Sequence, residues 1–136
     1  MKKYLIFMLS IAVFTSCQKS FDERIIEETQ DYTSRQCPKY VEPGNQLDSL
    51  TYSTTTRTIT HWYSLSEDKA DSTYQAGLKN NPEMYRVNTL RRLINDTSWE
   101  GCKKENINFR YVYRLADTGE QVFEILLTPA DYQTQK

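Results

Sequence analysis

The sequence predicts one α+β domain in the order helix, hairpin, helix, hairpin: a four-stranded antiparallel sheet with two helices on one face. Three observations carry this expectation. Apolar residues recur at helical spacing over 20–36 and again beyond Asn81. Two stretches, 57–65 and 107–128, alternate with period two and are rich in β-branched and aromatic side chains. The chain has 136 residues with only four glycines and four prolines, enough for one modest core and not two.

The elements follow in order. Lys2 and Lys3 precede an apolar run from Tyr4 to Phe14, interrupted only by Ser10, and then the small residues Thr15 and Ser16 before Cys17. That run suits the core of a secretory signal and falls short of the roughly 20 residues a membrane span needs. The expected organisation is a signal peptide over 1–16, a linker over 17–19 and a single domain over 20–136.

Over 20–36, Phe21, Ile25, Ile26, Thr29 and Tyr32 form one stripe, and Ser20 with Glu23 fits a capping box. Pro38 ends this helix. Residues 38–46 read as a loop with a Pro43-Gly44 turn. A strand over 47–54 turns through Thr54-Thr55-Thr56 into a second over 57–65. There Ile59, His61, Tyr63 and Leu65 share one face, and Thr58, Thr60, Trp62 and Ser64 the other. Residues 66–80 are polar, with a helical turn around Ala70 to Leu78.

Asn81-Pro82-Glu83 opens the second main helix with a cap, a first-turn proline and an acid. Its expected apolar stripe is Met84, Val87, Leu90, Leu93 and Ile94, and Cys102 falls in the loop after it. In the closing hairpin Gly119 takes the left-handed position of the loop. That register pairs Tyr113 with Phe123 and Tyr111 with Ile125 on one face.

The Phe14-Thr15-Ser16-Cys17 stretch resembles the lipobox of bacterial lipoproteins, with Phe where Leu is usual. More broadly, the chain resembles small Bacteroidales-type lipoproteins of uncharacterised family. The shared features are the lipobox, a short helix, Cys37-Pro38, the strand 47–52 and a Tyr-rich hairpin ending Thr128-Pro129-Ala130-Asp131-Tyr132. The resemblance implies lipidation of Cys17 and an address in the cell envelope, with Gln18 favouring the outer membrane. Acyl chains at Cys17 would hold the domain on the membrane durably. With Cys17 taken by lipid, Cys37 and Cys102 are left to form a disulfide in an oxidising compartment. It would close a loop of about 65 residues and contribute about 4 kcal/mol. Zinc is disfavoured, because two cysteines and the distant His61 do not complete a tetrahedral ligand set.

Loss of Lys2 and Lys3 with the signal takes the 17 basic residues to 15 against 18 acidic ones, a net charge near −3. Such a balance offers no basic patch for nucleic acid. No nucleophile motif accompanies His61, no glycine-rich phosphate loop is present and the carboxylates are scattered. The expectation is a protein that is not an enzyme and needs no cofactor, with His61 packed in its strand.

If the odd face of 57–65 is buried, Trp62, Arg110 and Arg114 share the open face, a composition that binding hot spots favour. The competing expectation packs Trp62 under 66–80 and pairs the arginines with Glu124. Asp48-Ser49-Leu50 and Asp71-Ser72-Thr73 match an O-glycosylation motif of Bacteroidetes envelope proteins, which makes Ser49 and Ser72 candidate acceptors. The leading functional expectation is a lipid-anchored, non-enzymatic domain that binds a protein or an envelope glycan. The alternatives are an inhibitor or immunity-type protein acting on an enzyme, and a small hydrolase centred on His61.

Overall fold

A computed structural model describes residues 18–66 and 72–134. The expected signal peptide and the expected lipidation at Cys17 lie outside the described residues, as does Ala70, and Ser72 is described only as backbone. Helix α1 (Phe21–Gln36) starts as its sequence requires: Ser20 Oγ accepts from the Glu23 N–H at 3.2 Å, and the Glu23 carboxylate accepts from the Ser20 N–H at 3.4 Å.

Two strands follow the helix, β1 (Lys39–Glu42) and β2 (Asn45–Ser53), joined by a turn in which Gly44 has φ 76°. The loop expected over 38–46 is therefore a hairpin. Every β1 side chain is exposed, so Lys-Tyr-Val-Glu shows no alternation from which a strand could be read. β1 pairs with β2 only as far as Leu47. Beyond it the Thr33 hydroxyl takes both backbone groups of Leu50, accepting from its N–H at 2.9 Å and donating to its carbonyl at 3.1 Å. That pair of hydrogen bonds docks α1 on β2.

Strand β3 (Thr58–Leu65) pairs antiparallel with β2. The chain then runs through α2 (Ser72–Asn80), α3 (Pro82–Asn95), a single 3-10 turn (Thr97–Trp99) and α4 (Glu100–Lys104) before β4 (Asn108–Leu115), β5 (Gln121–Leu127) and α5 (Pro129–Gln133). The sheet has five strands in sequence order, and β3 and β4 are parallel. This corrects the expected four-stranded antiparallel sheet. Parallel neighbours need a long, usually helical crossover, and the segment between β3 and β4 supplies one.

The closing hairpin has the expected register: Tyr113 faces Phe123, Tyr111 faces Ile125, and Gly119 has φ 72°. Pro129 ends β5 and also begins α5, where the Asp131 carboxylate accepts from the N–H and hydroxyl of Thr128.

All five helices lodge a side chain in one core: Ile25 from α1, Leu78 from α2, Leu93 from α3, Cys102 from α4 and Tyr132 from α5. They meet Ile59, Leu65, Phe109, Tyr111, Ile125 and Leu127 of the sheet. The expected placement of helices on one face is thus what packs the core. The stripe of α3 differs from expectation. Thr89 and Leu93 are buried while Met84 and Val87 are exposed. Tyr85, which stacks edge-on against Tyr74, lies one turn before Thr89 and two before Leu93 on the buried side. A tyrosine and a threonine thus complete a stripe that hydrophobicity alone assigns to Met84 and Val87.

The expected disulfide is absent: Cys37 and Cys102 are both free thiols. Cys102 is buried in α4, not in a loop, within electrostatic reach of Glu28 in mid-α1. Cys37 caps the far end of α1, beside Lys39 and Asp48. The nine residues from Glu28 to Cys37 span about 13 Å of helix axis. A disulfide tolerates no more than about 7 Å between Cα atoms.

Candidate functional site

The parallel register of β3 and β4 builds the site. It sets Trp62 opposite Val112, Thr60 opposite Arg110 and Ser64 opposite Arg114. The side chains of all six point away from the helices. Arg110 and Arg114 therefore flank the indole diagonally, with their guanidinium carbons 5.7 and 4.8 Å from the ring centroid, within cation–π range. The indole N–H donates to Thr51 Oγ1 at 2.8 Å, which fixes the ring against β2. Val112 lies on this same face and is fully buried. The cover comes from the side chains around it: Trp62, the two arginines and Glu124, its partner on β5.

The three residues expected to share an open face are thus brought together. Part of the competing expectation holds as well. Arg110 pairs with Glu124, whose carboxyl is held below its ordinary value chiefly by that hydrogen bond. Arg114 makes no ion pair among the described residues. α2 does not cover Trp62, since its Leu78 is in the core on the opposite side. A shallow concavity of about 590 Å3 runs beside the cluster, floored by Thr58 and Thr60 and bounded by Ser53, Glu124 and Leu126. Leu126 is 47% exposed there.

This arrangement is suited to binding. A guanidinium stacked on an indole is preorganised for a carboxylate or carbonyl acceptor, and the Trp face supplies apolar area beside it. His61 is on the other side of the sheet. It is buried, stacks on Tyr111 at 4.6 Å between ring centroids and meets the edge of Trp99 at 5.6 Å. Burial pushes it down to about 4, partly countered by the Arg110 backbone and the charge of Asp96, so the ring is neutral at pH 7. Among the described residues no group of three His, Cys, Asp or Glu could hold a metal.

Of the candidate glycosylation sites, Ser49 is half-buried in β2 opposite Trp62, and Ser72 is the first residue of α2. The neighbouring Asp48 accepts from Ser64 and from Gln46, so it braces the bulge of β2. The sequence reading missed Thr51, whose Oγ1 holds the indole, because a threonine in the expected strand 47–54 carries no signal of such a role. No helix among the described residues is long and apolar enough to cross a membrane.

Comparison with known proteins supplies a family and a fold. A family model described as Domain of unknown function (DUF8479) matches residues 20–123. No curated protein matches the chain. The crystal structure of a Pseudomonas aeruginosa protein described as secreted aligns with a TM-score of 0.66 at 10% identity, covering 85% of this chain and 99% of the other. The pilotin EpsS of the Vibrio vulnificus type 2 secretion system aligns with a TM-score of 0.61 at 12% identity, over 84% of this chain and 93% of its own. At these identities the likeness is one of fold alone.

Proposed function

We propose that this chain, which belongs to the Domain of unknown function (DUF8479) family, is a non-enzymatic binding module of the cell envelope that engages a partner protein through the open face of its sheet. The observation that carries this reading is the cluster of Trp62, Arg110 and Arg114 over buried Val112. Trp and Arg are the residue types that dominate binding energy in interfaces. Here they are held in place before any partner arrives, which lowers the ordering cost of association. Arg114 brings a charge that no described carboxylate neutralises.

Support for the envelope comes from the lipobox-like Phe14–Cys17 stretch, which would anchor the domain by lipid at the outer membrane. The two proteins of like fold are named as a secreted protein and as a secretion-system pilotin, so this architecture occurs in such settings. Support for a non-catalytic role comes from His61, which sits behind the sheet and away from the open face.

The test is cross-linking in native envelopes, comparing wild type with Trp62→Ala and Arg114→Ala. Near-UV circular dichroism of each purified variant serves as the fold check. The expected result is one protein adduct, reduced at least tenfold in both variants while the fold signal persists. Adducts of equal yield in folded wild type and variants would remove the open face from the reading. An adduct that carries sugar and no protein would replace the protein partner with a glycan.

A further inference from the structure

The two edges of the sheet are built differently. β1, at one side, carries the usual devices against pairing with another chain. It is four residues long, has charges at both ends in Lys39 and Glu42, breaks register between Tyr40 and Glu42, and lies between Pro38 and Pro43. β5, at the other side, lacks most of them. Five of its seven residues are apolar, and its one irregularity lies before Phe123, so Phe123 to Leu127 pair with β4 without a break. Its one charge, Glu124, is turned onto its own sheet by Arg110 and Gln121. Leu126 is 47% exposed. The helix that follows turns inward, away from this edge: in α5 the Tyr132 hydroxyl donates to the Ile107 carbonyl at the entrance to β4, and Asp131 pairs with Arg86 of α3. One row of β5 backbone N–H and C=O groups is left without a strand to bond among the described residues.

Such an edge accepts a strand; its own sequence selects which. Antiparallel pairing of β5 with itself requires a two-fold axis that passes through one residue, because only then do the faces of both sheets match. Centring the axis on Glu124 sets two carboxylates directly opposite each other, which is unfavourable. Centring it on Leu126 leaves only Ile125 to Leu127 paired as strand. Centring it on Ile125 pairs the whole regular stretch. On the helical side Ile125 then meets Ile125 of the second copy, and Phe123 meets its Leu127. On the open side Leu126 lies beside Glu124 of the second copy, whose carboxylate is already held by Arg110.

We propose that β5 pairs with β5 of a second copy of this chain, antiparallel about a two-fold axis at Ile125, and joins two sheets into one of ten strands. The axis stands perpendicular to the sheet, so both Trp62 clusters face the same way. Glu124 and Leu126 bound the concavity beside each cluster. The second copy's Leu126 and Glu124 continue that boundary, and the two concavities become one trough. A contact of five paired residues is smaller than a standard interface. If Cys17 carries lipid, as the envelope reading has it, α1 starts on the helical side in both copies and both anchors reach one membrane. Tethering then raises the effective concentration of one edge at the other.

The test is disulfide trapping in native envelopes. Copies carrying Glu124→Cys and Leu126→Cys, each in a Cys37→Ser background, are produced together and oxidised with copper phenanthroline. Directly opposed residues of antiparallel strands have Cα atoms about 4.5–5.5 Å apart, within the span of a disulfide. Two copies of the same substitution would stand about 8 Å apart, beyond it. The expected result is a band of twice the mass on a non-reducing gel, about fivefold stronger in the mixed sample than with either variant alone. Thr118→Cys, in the turn between β4 and β5, should stay at background. Trp62→Ala, which is expected to cost the partner adduct, should leave the mixed disulfide at full yield, so the two readings can fail separately. No doubled band in the mixed sample would overturn the proposal. Bands of equal strength in mixed and single samples, or in Thr118→Cys, would also overturn it, since they report collision without register.

Discussion

The Lys103 ammonium donates to the Leu93 carbonyl at 3.0 Å, and from the same position to Ile94 at 3.1 Å and Asp96 at 3.2 Å. These are carbonyls at the C-terminal end of α3, where a helix runs out of N–H donors for its own carbonyls and its dipole is negative. Lys103 is only 9% exposed, and Glu100 stands 3.4 Å from its charge. One side chain from α4 thus closes α3 and ties it to the crossover leading into β4. Lys103→Met keeps the aliphatic stem and removes the donor. It should lower unfolding free energy by about 1 kcal/mol, since the Ile94 carbonyl loses its donor while those of Leu93 and Asp96 keep backbone N–H partners. Urea denaturation checks this, and a change under about 0.5 kcal/mol would show that water replaces the ammonium without cost.

His61 should make stability depend on pH in a defined window. Burial first, and little else, lowers it from an ordinary value of 6.5 to about 4. Between those values the unfolded chain takes up a proton that the folded chain refuses. Its contribution is therefore complete above pH 6.5 and is lost as the pH falls toward 4, amounting to about 3 kcal/mol. Glu124 and Asp131 are also lowered, so what they add is present above their ordinary values of 4.5 and 3.8 and is lost below them. Denaturation of wild type between pH 6.5 and 4.5 should show a falling midpoint. His61→Phe, which keeps the stacked ring, should be flat over that interval. An equal slope in both proteins would place the titrating group elsewhere.

The free cysteines give a chemical test of the corrected pairing. Burial and the nearby Glu28 carboxylate push Cys102 up to about 11. Burial also raises Cys37, more weakly countered by Lys39. Lipid-free protein carrying Cys17→Ser should release one thiol slowly to Ellman's reagent when native, Cys37, and the second only in denaturant. Its melting temperature should be unchanged by reductant. Silent thiols together with a large drop on reduction would restore the disulfide.

What could be read from the sequence was whatever repeats locally. Ser20 and Glu23 specify the start of α1 because a capping box is complete within four residues. The Tyr113–Phe123 register follows from Gly119 and from alternation, both within one hairpin. The same alternation put Trp62, Arg110 and Arg114 on one face. It could not set them side by side, because that depends on β3 and β4 being parallel, which the intervening helices decide. β1 was hidden because a fully exposed edge strand buries nothing and leaves no period. The cavity on the helical side of the sheet, lined by Asn45 and His61, was hidden for a further reason. Its residues come from four strands, two helices and the 3-10 turn, and no local pattern links them.

Gly77 gives the sharpest test of how α2 meets α3. It lies inside a helix, where replacing glycine by alanine usually adds about 1 kcal/mol. Here a Cβ at Gly77 would run into the Tyr85 hydroxyl oxygen and come 3.2 Å from the ring carbon that bears it. Tyr85 cannot simply swing away, since its ring packs edge-on against Tyr74 at 5.5 Å and Tyr74 in turn lies against Tyr113. Gly77→Ala alone should therefore destabilise, by about 1 kcal/mol once the helix gain is offset by displaced packing. In a Tyr85→Phe background the offending oxygen is gone, and the same substitution should become neutral or stabilising. The coupling in this double-mutant cycle, read by thermal denaturation, should be at least about 1 kcal/mol. Additive effects would mean that the two helices separate more easily than this contact allows, and that α2 is held by Leu78 alone.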